Sequence, residues 1–285
     1  MNIKLREGTS EDAQKCGDIC YRAFKVIAEK HNFPPDFPSP EVCTTILSEL
    51  LAHPNIYGIV AELDGTIVGS NFVDERSIIA GIGPITVDPD MQNRAVGREL
   101  MMDVMDRIVK RRFPGVRLVQ AAYHNRSLSL YTKLGFAARE PLSTIQGKPI
   151  SMQIPGYTVR PANIDDLIAC NQVCMKVHGH DRGGELQDAI NRGTARVVEH
   201  NGRITGYTAA IGFLGHAVGE TNEELKALIG EAPEFLGPGF LLPTRNTELF
   251  RWCLEHGLRV VQPMTLMSIG LYNEPAGAFL ASVLY

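Results

Sequence analysis

Residues 5–20 and 159–174 of this 285-residue chain align without a gap, so that Arg6, Asp12, Cys16 and Cys20 match Arg160, Asp166, Cys170 and Cys174. A second matched pair follows in the same order, GIVAELDGTIVGSNF at 58–72 and ARVVEHNGRITGYTA at 195–209. A third, NRSLSLYTKLGF at 125–136, is echoed by NTELFRWCLEHGL at 246–258, with Trp252 near the place of Tyr131 and one extra residue before the glycine. Self-similarity through a helix start, a hairpin and a helix end marks two copies of one structural unit. The length suits two domains. Their boundaries fall at 1–150 and 157–285.

The first copy carries a stretch that the second does not, VDPDMQNRAVGREL at 87–100. The apolar run before it reads as the end of a buried strand over 78–87, with Gly81 and Gly83 marking a bulge or a close backbone approach. The residues after it read as an amphipathic helix, because Leu100, Val104 and Ile108 recur every four positions. Between strand and helix lie Gln92, Asn93, Arg94, Ala95, Val96, Gly97 and Arg98. Small residues there let backbone N–H groups turn inward at a helix N-terminus, where the dipole favours an anion. No Walker lysine-serine pair follows, which argues against a magnesium-bound triphosphate.

The spacing Gln92-x-x-Ala95-x-Gly97 resembles the Q/R-x-x-G-x-G/A signature of the GNAT superfamily of N-acetyltransferases, with alanine in place of the first glycine. Residues 124–136, HNRSLSLYTKLGF, are similar to the second signature of that family, in the right order and about thirty residues on. The resemblance implies an α/β (α+β) fold of two tandem GNAT-like domains, each a mixed, mostly antiparallel sheet flanked by helices. It also implies acetyl-CoA as co-substrate. Its pyrophosphate would lie on the amides of Gln92, Asn93, Arg94, Ala95, Val96, Gly97 and Arg98, and its pantetheine arm along Ile85, Thr86 and Val87, with Asn125 in contact. The rigid HNFPPDFPSPEV loop at 31–42 reads as a connector, or, by the resemblance, as a wall of the acceptor pocket.

Acetyl transfer to an amine needs a base, an oxyanion donor and an acid for the departing thiolate. Tyr131 is the expected acid. The strand at 78–87 carries neither carboxylate nor histidine, so the base is sought nearby, in Asp74, Glu75 or His124; Glu75 is taken as the candidate. Alternation allows only one of Asp74 and Glu75 to face a cleft. No cysteine sits in an activated context, which favours direct attack in a ternary complex over a ping-pong route.

In the second copy the corresponding stretch is GHAVGETNEELKALI at 215–229, whose acidic first turn would repel a pyrophosphate. Trp252 cannot replace a phenolic acid. The second copy is therefore expected to be degenerate, serving packing or acceptor binding. Cysteines four apart on helices could share a metal, but two further ligands are lacking, so no metal is expected. His178 and His180 (HGHD) read as a polar loop. The halves carry 18 basic and 18 acidic residues (1–156) against 10 and 14 (157–285), which disfavours nucleic acid as a partner. No membrane span or secretory signal is visible, giving a cytoplasmic expectation. The apolar tail at 260–285 is expected to dock over a pocket or the domain seam. The reading is an N-acetyltransferase acting on a small-molecule amine, with a homodimer compatible; a protein or peptide acetyltransferase and a non-catalytic acyl-CoA sensor are the alternatives.

Overall fold

The computed structural model describes residues 3–92 and 94–284. The chain begins with strand β1 (Ile3–Glu7), helices α1 (Ala13–Lys30) and α2 (Pro40–Ala52), and the antiparallel strands β2 (Ile56–Leu63) and β3 (Thr66–Asp74). These are followed by β4 (Ile79–Ile82), β5 (Thr86–Val87), α3 (Val96–Arg111), β6 (Gly115–Ala121), α4 (Asn125–Lys133) and β7 (Ala137–Gln146). Strand alternation divides the core. Val60 and Phe72 face Cys16, Cys20, Cys43 and Leu47 of α1 and α2, whereas Ile59, Ala61 and Val73 face Leu100, Val104 and Ile108 of α3. All six cysteines are free and buried. Among the described residues no group of three or more potential ligands is placed to hold a metal.

The second half repeats this order with β8 (Tyr157–Pro161), α5 (Leu167–His178), α6 (Gly183–Asn191), β9 (Arg196–His200), β10 (Arg203–Thr208), β11 (Ala217–Gly219), α7 (Asn222–Gly230), β12 (Phe240–Pro243), α8 (Thr247–Glu255) and β13 (Arg259–Gly270). The repeat extends to single atoms. Arg6 clamps Asp12 with two bonds of 2.8 Å while the Thr9 N–H donates to the same carboxylate; Arg160, Asp166 and Asn163 reproduce the arrangement at the same 2.8 Å. Each clamp fixes the turn that starts the first helix of its half.

The two halves are interlocked by exchanged strands. Strand β13 lies between β6 and β7, pairing Met264–Gly270 with Ala121–Gly115 on one side and Arg259–Ser268 with Gln146–Ala137 on the other. Strand β7 in turn lies between β13 and β12. One sheet of nine strands thus runs from the first half into the second, and a five-stranded sheet, β14 (Ala278–Leu280)-β11-β10-β9-β8, completes the molecule. Arg76 adds a polar tie across the seam, bonding Asp74 at 2.6 Å and Asp188 at 2.6 Å.

The expected strand over 78–87 is broken. It pairs in parallel with β6 over Ile79–Gly81, leaves the sheet at Gly83 and Pro84, and rejoins β3 at Thr86–Val87. The HGHD segment is no polar loop. His178 and His180 are buried, and His178 meets the buried His216 with their Nε2 atoms 3.2 Å apart. Burial and the nearby Arg117 and Arg182 lower the pKa of all three, so the cluster is neutral near pH 7. Among the described residues no helix is long and apolar enough to cross a membrane.

Candidate active site

Beyond the short parallel pairing of β4 with β6 the sheet opens into a cleft of about 440 Å³. Ile85, Thr86 and Val87 form one wall, and Leu118–Ala121 of β6 the other. Thr86 is buried and its hydroxyl lies 3.3 Å from that of Ser70, which anchors β5 to β3. The separation leaves backbone edges facing a gap, a site that an extended amide-bearing chain can occupy by strand-like pairing.

The mouth of the cleft is the start of α3. Gln92, Ala95, Val96, Gly97 and Arg98 line it. The helix ladder begins with the Glu99 N–H donating to Ala95 O at 3.0 Å, so the N–H groups of Val96, Gly97 and Arg98 precede it and have no intrahelical acceptor. Arg126 donates to Gln92 Oε1 at 3.0 Å, bringing a second cation to the rim. Arg94 is exposed and does not line the cleft. Asn93 lies outside the described residues. Asn125 starts α4 in an adjoining surface recess with Arg98, Ser129 and Lys133, beside the mouth and not along the cleft wall.

Ala95 has φ +63 and ψ 2, a left-handed conformation that glycine adopts without penalty and alanine at a cost of about 1–2 kcal/mol. The turn therefore does require the conformation that favours glycine in the family signature. Ala95→Gly is expected to stabilise the protein by about 0.5–1 kcal/mol, the gain being partly offset by the greater freedom of glycine in the unfolded chain. Equilibrium urea unfolding of the two proteins measures this directly.

Deeper in the cleft stands Tyr131, 6% exposed, with its ring edge-on to Phe136 at 6.1 Å. Burial raises its pKa, which keeps the phenol protonated. The base candidates separate clearly. Glu75 does not line the cleft; its carboxylate is held by Arg107 at 2.6 Å and Arg111 at 3.4 Å and its side chain is 5% exposed. A carboxylate neutralised by two guanidiniums on the far end of α3 cannot reach an acceptor in the gap, so Glu75 is withdrawn. Asp74 is likewise engaged, by Arg76. His124 does line the cleft, and burial takes its pKa down to about 4, leaving a neutral imidazole.

The sequence reading missed Asp36, a buried carboxylate of the proline-rich loop that lines the inner end of the cleft. It also missed the second half's share in that end. Phe213, Leu214, Met264, Val283 and Leu284 reach the same cavity. The tail therefore docks as expected, over both the seam and the pocket.

The corresponding place in the second half is built differently. Helix α7 is closed by a capping box in which Thr221 N–H donates to Glu224 at 2.8 Å, and Glu223 shares its first turn. Strand β14 fills the place of the gap, pairing Ala278–Leu280 with β11 while the Ala281 N–H donates to Leu241 O of β12 at 2.9 Å. Trp252 packs against His256, the two rings tilted with centroids 4.4 Å apart.

Residues 24–136, spanning the cleft and its cradle, match the Acetyltransferase (GNAT) family. Residues 24–136 form a GNAT acetyltransferase domain. The chemistry of that family is acyl transfer from acetyl-CoA. The fold of the whole chain is that of tandem GNAT proteins. A Pyrococcus horikoshii protein described as an acetyltransferase superimposes with a TM-score of 0.75 at 17% identity, over 97% of this chain and 94% of its own. A GCN5-related N-acetyltransferase from Sphaerobacter thermophilus gives 0.62 at 15% identity over 95% and 96%. A tandem GNAT protein from the clavulanic acid biosynthesis pathway gives 0.58 at 12% identity over 94% and 98%. No curated protein matches this chain significantly in sequence.

Proposed function

We propose that this protein is an acetyl-CoA-dependent N-acetyltransferase that acetylates the amine of a small molecule by direct attack within a ternary complex. The observation that carries this reading is one continuous cleft with a helix N-terminus at its mouth, Tyr131 on its wall and an apolar inner end lined in part by the other half. The free N–H groups of α3 suit a pyrophosphate, and the open edges of β5 and β6 suit the amides of a pantetheine arm. Tyr131, kept protonated by burial, is placed to give its proton to the departing sulfur. Residues 1–150 then form the acetyl-CoA-binding unit. Residues 157–285 form a degenerate copy, its gap filled by β14, that contributes packing and part of the acceptor pocket.

The apolar lining contributed by both halves, with Phe37, Phe213 and Leu284, favours a small acceptor over a protein or peptide. Calorimetric titration with acetyl-CoA tests the assignment: one site per chain is expected, and two sites would overturn the degenerate reading. Tyr131→Phe should leave acetyl-CoA affinity nearly unchanged and lower turnover by roughly 10²-fold, the usual scale for a lost general acid. Unchanged turnover across the pH range would remove Tyr131 from the mechanism.

A further inference from the structure

The inner end of the cleft holds one charged group that acetyl-CoA does not account for. Asp36 sits between Pro35 and Phe37 and is 5% exposed. Gln262 of β13 donates to its Oδ1 at 2.6 Å, and the same amide accepts from the Tyr123 hydroxyl at 3.2 Å. Both ends of Gln262 are therefore fixed, so the amide nitrogen faces the carboxylate and not the reverse. Tyr123 is held in turn by Phe33, stacked at 4.3 Å, and by His31 at 5.3 Å. This is a built site. The exchanged strand of the second half supplies the group that orients a carboxylate of the first.

Among the described residues one side-chain donor, the Gln262 amide, reaches that carboxylate. Phe24, Phe37, Ile46, Phe213, Met264 and Leu284 form the apolar walls. One neutral donor is little compensation for a buried ion, which ordinarily needs a counter-ion or several N–H groups. Accordingly burial pushes the Asp36 pKa up to about 6 against the opposing effect of Gln262. A carboxylate set among such walls suits a cation with an apolar body.

We propose that Asp36 is the acceptor-binding carboxylate, receiving the ammonium of a primary monoamine whose remainder is apolar and taking the proton that frees its lone pair. This rests on the N-acetyltransferase reading. The carboxylate accepts one proton from the ammonium. The nitrogen forms the C–N bond to the thioester carbonyl and the C–S bond breaks. The sulfur takes a proton from Tyr131, which regains one from the new amide nitrogen. The proton on Asp36 leaves to solvent, so ammonium and thioester give amide, thiol and one proton.

The titratable groups facing Asp36 are Cys20 of α1, kept neutral by its hydrogen bond with Cys43 and by burial, and Tyr123, kept neutral by burial, while His31 lies behind Tyr123 and His124 further along the cleft. Since the carboxylate must be ionised, kcat/KM should fall as pH drops through about 6. Asp36→Asn should lose this limb and His31→Gln should keep it.

The test uses the full chain with phenethylamine, hexylamine, spermidine and glucosamine, following CoA release and, by calorimetry, binding of each amine. Phenethylamine and hexylamine should exceed the other two in kcat/KM by at least 10²-fold. Asp36→Asn should abolish phenethylammonium binding and lower kcat/KM by at least 10²-fold, with acetyl-CoA affinity within twofold of the parent, which also reports an intact fold. Equal amine binding by Asp36→Asn and the parent, preference for the polar amines, or no amine binding at all overturns the proposal. Amine binding lost in Asp36→Asn, with no CoA release by the parent, would uphold the site and overturn the N-acetyltransferase reading instead.

Discussion

Ending the chain after residue 150 is expected to give a fragment that neither folds nor binds acetyl-CoA, although it retains the cradle and Tyr131. The reason lies in the exchanged strands. β6 and β7 do not pair with each other; β13 separates them along Gly115–Ala121 and along most of Ala137–Gln146. Without residues 151–285, β7 loses both neighbours and β6 loses one, leaving open edges that invite association. The core also loses Met264, Leu266 and Met267, which pack against Leu142, Val116 and Leu118. Removing a large buried apolar side chain costs roughly 2–5 kcal/mol, so three such losses match a typical total stability of about 5–15 kcal/mol. Circular dichroism, gel filtration and acetyl-CoA titration of the fragment provide the measurement. Co-expression with residues 151–285 should restore binding. A monomeric, folded fragment that binds acetyl-CoA would show that the exchange is dispensable.

That interlocking is what local sequence patterns could not convey. The repeat itself was readable because Arg6–Asp12 and Arg160–Asp166 perform the same local task, fixing a helix start within a few residues. The hairpin within residues 58–72, the face of α3 and the glycine ending α4 are similarly local. Strand partnership between residues 137–146 and 259–268 is not, since an alternating strand carries no mark of which strand lies beside it. The site divides along the same line. Cradle and Tyr131 belong to compact motifs. Glu75 follows β3 directly in the chain, which suggests a place by the cleft, but its side chain is engaged by Arg107 and Arg111 at the far end of α3, and no local pattern marks that pairing. Asp36 carried a faint signal, a lone carboxylate among prolines and phenylalanines. Its importance depends on Gln262, 226 residues away.

Gly97→Glu should abolish acetyl-CoA binding while leaving the fold at least as stable as before. Gly97 lies in the first turn of α3, where an added Cβ would meet only Val87 Cγ2 at 3.6 Å, an ordinary contact. The backbone is thus free to accept a side chain, and Gly97→Ala should fold normally with at most a modest change in affinity. Glutamate at that position differs from alanine in two ways. It fills the mouth, and it places a negative charge among the N–H groups of Val96, Gly97 and Arg98, where a pyrophosphate would compete for the same donors. For the helix this charge is favourable, worth about 0.3–1 kcal/mol against the macrodipole, as in the acidic first turn of α7. For an incoming anion it is repulsive, and the site is filled besides. Stability and binding should therefore move in opposite directions. Thermal unfolding is expected at or above the parent midpoint, and titration with acetyl-CoA should give no measurable heat at concentrations that saturate the parent. If Gly97→Glu binds normally, the start of α3 is not the anion site. If Gly97→Ala loses binding as completely as Gly97→Glu, close backbone approach at Gly97 and not charge at the helix start controls recognition.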